Sequence, residues 1–274
     1  MRIDSHQHFW LMERRQGQWP PPELAAIRYD FLPPELEPQL KAAGVDGTVV
    51  VQSLAETDDT LFLLDLASKN DFILGVVGWV DMKAANAPDM IAALAKHEKL
   101  KGVRPMLQGI EDTDWIDDPA LAPAVAAMIE HDLAFDGLIL PRHMAPLRRF
   151  AERFPDLRIV VDHGGKPLIA EGKYVAWRHD LSALARLPNV SCKLSGLLVE
   201  AGEQRPEAVR PYAETMLELF GEKRTIWGSD WPVVKLVTDY RTWLDQCLDI
   251  VPDEFHDAVF GGNAIDFYRL KPGR

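Results

Sequence analysis

Short β-branched runs alternate with helix-forming segments eight times along this chain, and that alternation limits its fold more than any other feature. The strand candidates are 3–9, 47–53, 72–80, 102–106, 133–140, 158–163, 190–194 and 225–228. Between them stand helix-start signals: Asp58 before LFLLDLASK, Asn86 with Pro88 before MIAALAKH, Asp118 with Pro119 before ALAPAVAAMIEH, and Pro206 before EAVRPYAETMLELF. Proline in the first turn costs no hydrogen bond, and a short polar side chain before it can cap the free N–H groups. Runs such as VVV at 49–51 and IVV at 159–161 are apolar throughout instead of alternating, as strands of a parallel sheet covered on both faces should be. Eight β-then-α units predict a (β/α)8 barrel, and 274 residues is an ordinary length for one such domain, so residues 1–274 are expected to form a single unit. A doubly wound open sheet is the competing arrangement. Its usual mark, a G-x-G-x-x-G turn after the first strand, is missing, and histidines stand there instead.

Composition narrows the partners. Lys and Arg total 30 against 42 Asp and Glu, a net charge of −12, so the basic surface that holds a phosphate backbone is lacking and nucleic acid is not an expected partner. The two cysteines, Cys192 and Cys247, have no metal or redox spacing, which fits a reducing compartment. The start of the chain has no apolar leader pattern, and no apolar run reaches the ~18 residues of a membrane span, so a cytoplasmic protein without membrane contact is expected. The sequence leaves open a homo-oligomer.

Several polar residues interrupt apolar strands, and the barrel reading sends strand C-termini to one mouth where chemistry is assembled. In Asp4-Ser5-His6-Gln7-His8, period-2 geometry puts Asp4, His6 and His8 on one face, so two imidazoles can meet one ion or one substrate. A lone histidine there would more simply hydrogen-bond the backbone. Val161-Asp162-His163-Gly164-Gly165-Lys166-Pro167 closes strand 6 with a histidine aimed at the site, while Asp162, of opposite parity, is expected to bond the outer layer. At strand 8, Trp227-Gly228-Ser229-Asp230-Trp231-Pro232 places a carboxylate between two aromatics; a low dielectric there should raise its pKa and make it a usable base, the bland alternative being a helix cap. Arg104 and Lys193 are cations inside apolar strands and need partners, either a neighbouring carboxylate or substrate oxygens. Arg142 and His143, past strand 5, can reach the mouth or lie in a solvated loop. Trp10, Trp79, Trp115 and Trp231 can wall a pocket or pack in the core, and Gln52 and Ser195 can bond substrate hydroxyls.

Taken together, Asp4-Ser5-His6-Gln7-His8-Phe9-Trp10, Gly102-Val103-Arg104, D-H-G-G-K-P at 162–167, Lys193-Leu194-Ser195-Gly196-Leu197, G-S-D-W-P at 228–232 and Gly261-Gly262-Asn263-Ala264 resemble the amidohydrolase superfamily. The resemblance is to its amidohydrolase-2 branch, which holds sugar-lactone and 2-pyrone-4,6-dicarboxylate lactonases, and it runs from residue 4 to residue 264. It implies a lactone hydrolase with Asp230, His163, His6 and His8 catalytic, and with Arg104, Lys193, Trp231, Arg142, His143 and Gln52 around the substrate. It also implies one Zn²⁺ on His6, His8, His163 and Asp230, or a site that works without metal. A two-metal centre is not expected, since strand 4 offers Arg104 and strand 5 ends Gly137-Leu138-Ile139-Leu140 without a histidine. A mononuclear decarboxylase and a non-catalytic carbohydrate-binding protein are the alternatives. A neutral aldonolactone is preferred to a dicarboxylated pyrone, because few cations converge on the strand ends.

Overall fold

The computed structural model describes residues 1–202 and 206–271. Eight parallel strands follow one another around a single sheet in chain order: β1 (Ile3–Gln7), β2 (Gly47–Val51), β3 (Ile73–Gly78), β4 (Leu100–Val103), β5 (Ala134–Gly137), β6 (Ile159–Val161), β7 (Val190–Leu194) and β8 (Thr225–Trp227). The ring closes through a parallel bridge between Gln7 and Trp231, with Asp230 N–H donating to the His6 carbonyl (2.8 Å) and His8 N–H to the Trp231 carbonyl (2.7 Å). Gly228 permits this closure, since a Cβ there would lie 2.7 Å from the His6 Cβ.

All eight expected strands are present; β7 matches its sequence span of 190–194, and the other seven are shorter than or shifted from theirs. The connecting helices are α1 (Pro33–Ala43), α2 (Thr57–Lys69), α3 (Ala87–Leu94), α4 (Ala122–Glu130), α5 (Met144–Arg153), α6 (Tyr174–Ala185), α7 (Leu197–Ala201), α8 (Arg210–Arg224), α9 (Tyr240–Ile250) and α10 (Asn263–Tyr268). The expected helix starts are found at α2, α3 and α4, and at the Pro206–Val209 turn that leads into α8.

Two apolar layers result, as a barrel requires. One lies between strands and helices and includes Leu63, Ile91, Leu147, Leu181 and Trp243; the other joins Ile3, Val49, Val51, Val77, Val160 and Ile226 to Phe267 and Tyr268 of α10. That second cluster plugs one end of the barrel with apolar side chains. Polar side chains are therefore confined to its middle and to the opposite mouth. Both cysteines are buried and unpaired, and among the described residues no helix is long and apolar enough to cross a membrane.

Candidate active site

Strand ends bring His6, His8, His163 and Asp230 together at the mouth. β1 supplies the two imidazoles of its H-x-H, with ring centroids 4.9 Å apart, and the His163 ring lies 4.5 Å from that of His6. Asp230 Oδ1 faces all three, at 3.3 Å from His8 Nε2, 3.7 Å from His6 Nε2 and 3.9 Å from His163 Nε2. All four side chains are buried. Both His163 and Asp230 sit in left-handed backbone (φ 54° and 57°), a conformation that costs a non-glycine residue about 1–3 kcal/mol and is kept only where the surroundings impose it. One constraint is visible: His163 Nδ1 is 2.9 Å from Ser195 Oγ, and a Cβ on Gly196 would lie 2.5 Å from that same nitrogen. Ser195 thus orients an imidazole.

Beneath the imidazoles lies a buried ionic floor. Lys193 Nζ is 2.6 Å from Asp136 Oδ2, 3.0 Å from Asp162 Oδ1 and 3.1 Å from His6 Nδ1. Tyr268 of α10 donates its hydroxyl to Asp136 (2.6 Å). Arg104 donates to Asp162 (3.2 Å) and to the Gln52 carbonyl, and reaches within 3.5 Å of His6 Nε2, while the Gln52 amide donates to the Arg104 carbonyl (2.7 Å). Asp162 therefore points inward, against the parity expectation. The reason is local: β6 ends at Val161, and Asp162 and His163 belong to a tight turn with φ 54° at His163, so strand alternation no longer applies.

Burial and pairing set the charges. Burial, with the Lys193 charge adding to it, pushes the His6 imidazole well below its usual value, and burial brings His163 down to about 4, so both rings are neutral near pH 7. Burial alone would raise the Asp230 carboxyl, yet the rings of His163, His8 and His6 around it hold it well below the ordinary range. This reverses the sequence expectation of a raised pKa. The indoles blamed for it are not beside the carboxylate face: Trp227 packs on Tyr240 and Phe260, and Trp231 on Phe9 and Phe31. Burial likewise pushes the Asp162 carboxyl up, but Lys193, His6 and Arg104 together hold it well below normal. Asp4, behind the site, is raised to about 6 by burial, although its oxygens accept from His6 N–H (3.1 Å), Ser229 N–H (2.9 Å) and the Tyr240 hydroxyl (3.1 Å).

A cavity of about 290 Å³ opens above Asp230. His8, His163, Asp230, Arg104 and Lys166 form its polar end; Trp19, Leu24, Met106, Leu138, Val199, Val233 and Leu236 make most of its wall. Of the residues expected around a substrate, only Arg104 borders it. Lys193 and Gln52 are buried below, Trp231 packs in the core, and His143 is buried with Nδ1 accepting from Leu140 N–H (3.0 Å). Arg142 is exposed and donates to the Ile110 carbonyl (3.1 Å). Trp10, Trp79 and Trp115 are likewise absent from the wall. Trp19 is the indole that borders it, in edge contact with Trp10 and held by Arg15, whose guanidinium lies over both rings and donates to Ser53 Oγ (2.6 Å). Nothing in sequence periodicity marks Trp19 or Leu24, which lie in the long β1–α1 connection.

The donor set suits one divalent ion. His8 Nδ1 lies 2.6 Å from the Val51 carbonyl, which can only accept, so the hydrogen is on Nδ1 and Nε2 turns its lone pair on Asp230 Oδ1. Two acceptors facing at 3.3 Å require a cation between them, a proton or a metal, and a backbone carbonyl behind the ring is the usual support of a metal-binding histidine. His6, His8 and Asp230 form one such cluster. His6, Asp162 and His163 form a second, but its carboxylate is already neutralised by Lys193 and Arg104.

Known proteins resemble this chain over nearly its whole length. The chain is 54% identical over 279 residues to a protein named L-fucono-1,5-lactonase from Burkholderia ambifaria, covering 98% of this chain and 96% of that one. A second protein of that name, from Burkholderia multivorans, is 34% identical over 289 residues with the same coverage of each chain. The crystal structure of an amidohydrolase from Burkholderia multivorans with bound zinc superposes with a TM-score of 0.92 at 34% identity, over 99% of this chain and 100% of that chain. The family described as amidohydrolase matches residues 3–270, and with nearly the whole length matched, the chain belongs to the amidohydrolase family.

Proposed function

We propose that this protein hydrolyses neutral sugar lactones, with L-fucono-1,5-lactone or a close aldonolactone as substrate. The observation that carries the reading is a single carboxylate, Asp230, ringed by three imidazoles at the polar end of a small, mostly apolar cavity. The names of the two Burkholderia relatives support the sugar class.

The chemistry follows from what each group can donate or accept. A lactone carbonyl entering the polar end meets the His6 and His163 rings and the Arg104 guanidinium, whose N–H groups can stabilise negative charge growing on its oxygen, while His8, with its hydrogen on Nδ1, offers a lone pair at Nε2. Rings whose N–H groups engage that oxygen stabilise the Asp230 charge less, so the carboxylate regains basicity when substrate arrives. Asp230 then takes one proton from a water molecule as the water oxygen bonds to the carbonyl carbon. When the bond from that carbon to the ring oxygen breaks, the same carboxyl returns the proton to the leaving oxygen, giving a hydroxy acid. Gln52, Lys193 and Asp162 act below the site, fixing Arg104 and His6 instead of touching substrate. His6, His8 and Asp230, with His163 adjacent, would hold a Zn²⁺ ion, which when bound supplies Lewis-acid polarisation of the carbonyl.

The test is acid release, followed with a pH indicator, from a panel of γ- and δ-aldonolactones and from 2-pyrone-4,6-dicarboxylate. Turnover of aldonolactones with a preference for the 6-deoxy sugar is expected. Preference for the pyrone, or no aldonolactone turnover, overturns the reading.

A further inference from the structure

Among the described residues the cavity carries two cations, and both are already paired. Arg104 is bound to Asp162, and Lys166, at the end of the D-H-G-G-K-P turn, has its Nζ 3.0 Å from Glu200 Oε1 of α7. Lys166 borders the cavity, whereas Glu200 sits behind it; both side chains are largely shielded, at 22% and 19% exposure. The backbone of Lys166 is left-handed (φ 52°), with its N–H donating to the His163 carbonyl (2.9 Å), so the side chain leaves the same turn that presents His163. The remainder of that wall, Val199, Val233 and Leu236, is apolar. Among the described residues that line the cavity, Lys166 is thus the charged one outside the group of His8, His163, Asp230 and Arg104, Ser53 and Gln108 being the uncharged polar ones.

We propose that Lys166 and Glu200 together determine which lactones the enzyme takes, Lys166 by binding a hydroxyl of the sugar ring and Glu200 by cancelling the charge that would otherwise admit a carboxylated substrate. This rests on the lactonase reading and names the residues that give it charge selectivity. An ammonium held by a carboxylate keeps two further N–H donors for hydroxyl oxygens, which suits a polyol. It offers little net attraction to a carboxylate, because the partner's opposite charge lies within 3.0 Å. A site meant for a dianion would leave such a cation unpaired.

A matched pair of lactones reads the effect: galactonolactone, and galactarolactone, which carries a carboxylate at C6. In Glu200→Gln the ratio of kcat/KM for galactarolactone to that for galactonolactone should rise at least about tenfold through KM, since one freed charge a few ångströms from the substrate is worth that much in a partly shielded site. In Lys166→Met the ratio should fall, and kcat/KM for the neutral lactone should drop roughly ten- to hundredfold, the range for one lost charge-assisted hydrogen bond. The two variants move the ratio in opposite directions, so either alone decides if the other fails to fold. The exchanged pair, Lys166→Glu with Glu200→Lys, keeps the bridge but not the donor. Recovery of wild-type selectivity and rate in that double variant would show a strap between the turn and α7, and would overturn the proposal. An unchanged ratio in a folded Glu200→Gln protein would also overturn it. If the wild type turns over neither lactone, the lactonase reading fails, and calorimetric binding of galactonate against galactarate still reads the charge shift.

Discussion

Replacing Asp230 by Asn isolates the proton-transfer step. The amide keeps an acceptor oxygen where Oδ1 now lies 3.3, 3.7 and 3.9 Å from the three Nε2 atoms, and it keeps the size of the side chain, so the cavity and the ring positions should persist. What disappears is the negative charge and the ability to take a proton. General base catalysis contributes ~10²- to 10⁴-fold, about 3–5 kcal/mol at 1.36 kcal/mol per factor of ten. Because the same carboxyl must also return the proton to the ring oxygen, the loss should fall at the upper end, in kcat, with KM within a few-fold of wild type. Stability should not fall, since a buried charge is removed and its acceptor role retained. The assay is indicator-detected hydrolysis of L-fucono-1,5-lactone with the spontaneous rate subtracted, alongside thermal unfolding of both proteins. A folded Asp230→Asn protein with near-native kcat, or one whose loss lies wholly in KM, would refute the assignment and move the base to His163.

Other outcomes follow from the same geometry. The proposed mechanism needs Asp230 ionised and His163 neutral, and burial holds His163 at about 4, so the limb of the pH–rate profile that reports His163 should appear only as pH falls below about 5; a limb near the ordinary histidine value that disappears in His163→Asn would contradict it. Elemental analysis should find at most one zinc per chain, and a chelator should leave substantial turnover, because Arg104 already places a cation 3.5 Å from His6 Nε2; two metals, or complete loss restored by zinc, would count against this. Gly196→Ala should cost about 1–3 kcal/mol in thermal melts from the left-handed backbone (φ 66°) and also depress kcat, as its methyl must displace the His163 ring; a variant with unchanged kcat would mean that His163 is not held in place from that side.

The barrel is legible because its signal is repeated: eight apolar runs, each too short to be a helix, with helix-start chemistry after four of them, leave few topologies. The convergence of His6, His8, His163 and Asp230 was legible for the same reason, since all four follow or end strands, and strand ends share a mouth. The inward turn of Asp162 is not legible, because parity holds only inside a strand and the turn containing the positive φ of His163 begins right after Val161. Lys193 was recognised as a cation needing a partner, but nothing local told whether that partner was substrate or protein. Asp136, its actual partner, stands in the middle of an apolar run with no motif to mark it. The cavity wall was the least legible part. Trp19, Leu24, Met106 and Val233 come from connections whose conformation depends on tertiary contacts such as the Arg15 stack, and no periodicity records those.

Charge balance explains why the interior tolerates so many ionisable groups. Two cations, Arg104 and Lys193, face two carboxylates, Asp136 and Asp162, so the floor is neutral as a unit although each member alone would be costly to bury. Cross-bracing by Tyr268 and Gln52 leaves these groups little freedom to turn toward a ligand. Donors that cannot reorient are already in place when negative charge grows on a carbonyl oxygen, which is the condition for electrostatic stabilisation at low reorganisation cost. The same neutrality bears on specificity. With Arg104 cancelled by Asp162 and Lys166 by Glu200, no unpaired Lys or Arg among the described residues lining the cavity awaits a carboxylated substrate, and the carboxylate of Asp230 repels one. The chain's net charge of −12 adds little to this, because the field inside a buried site is set by its nearest groups. Preference for a neutral lactone is therefore a property of how the cations are paired, and pairing is what a single substitution at Glu200 alters.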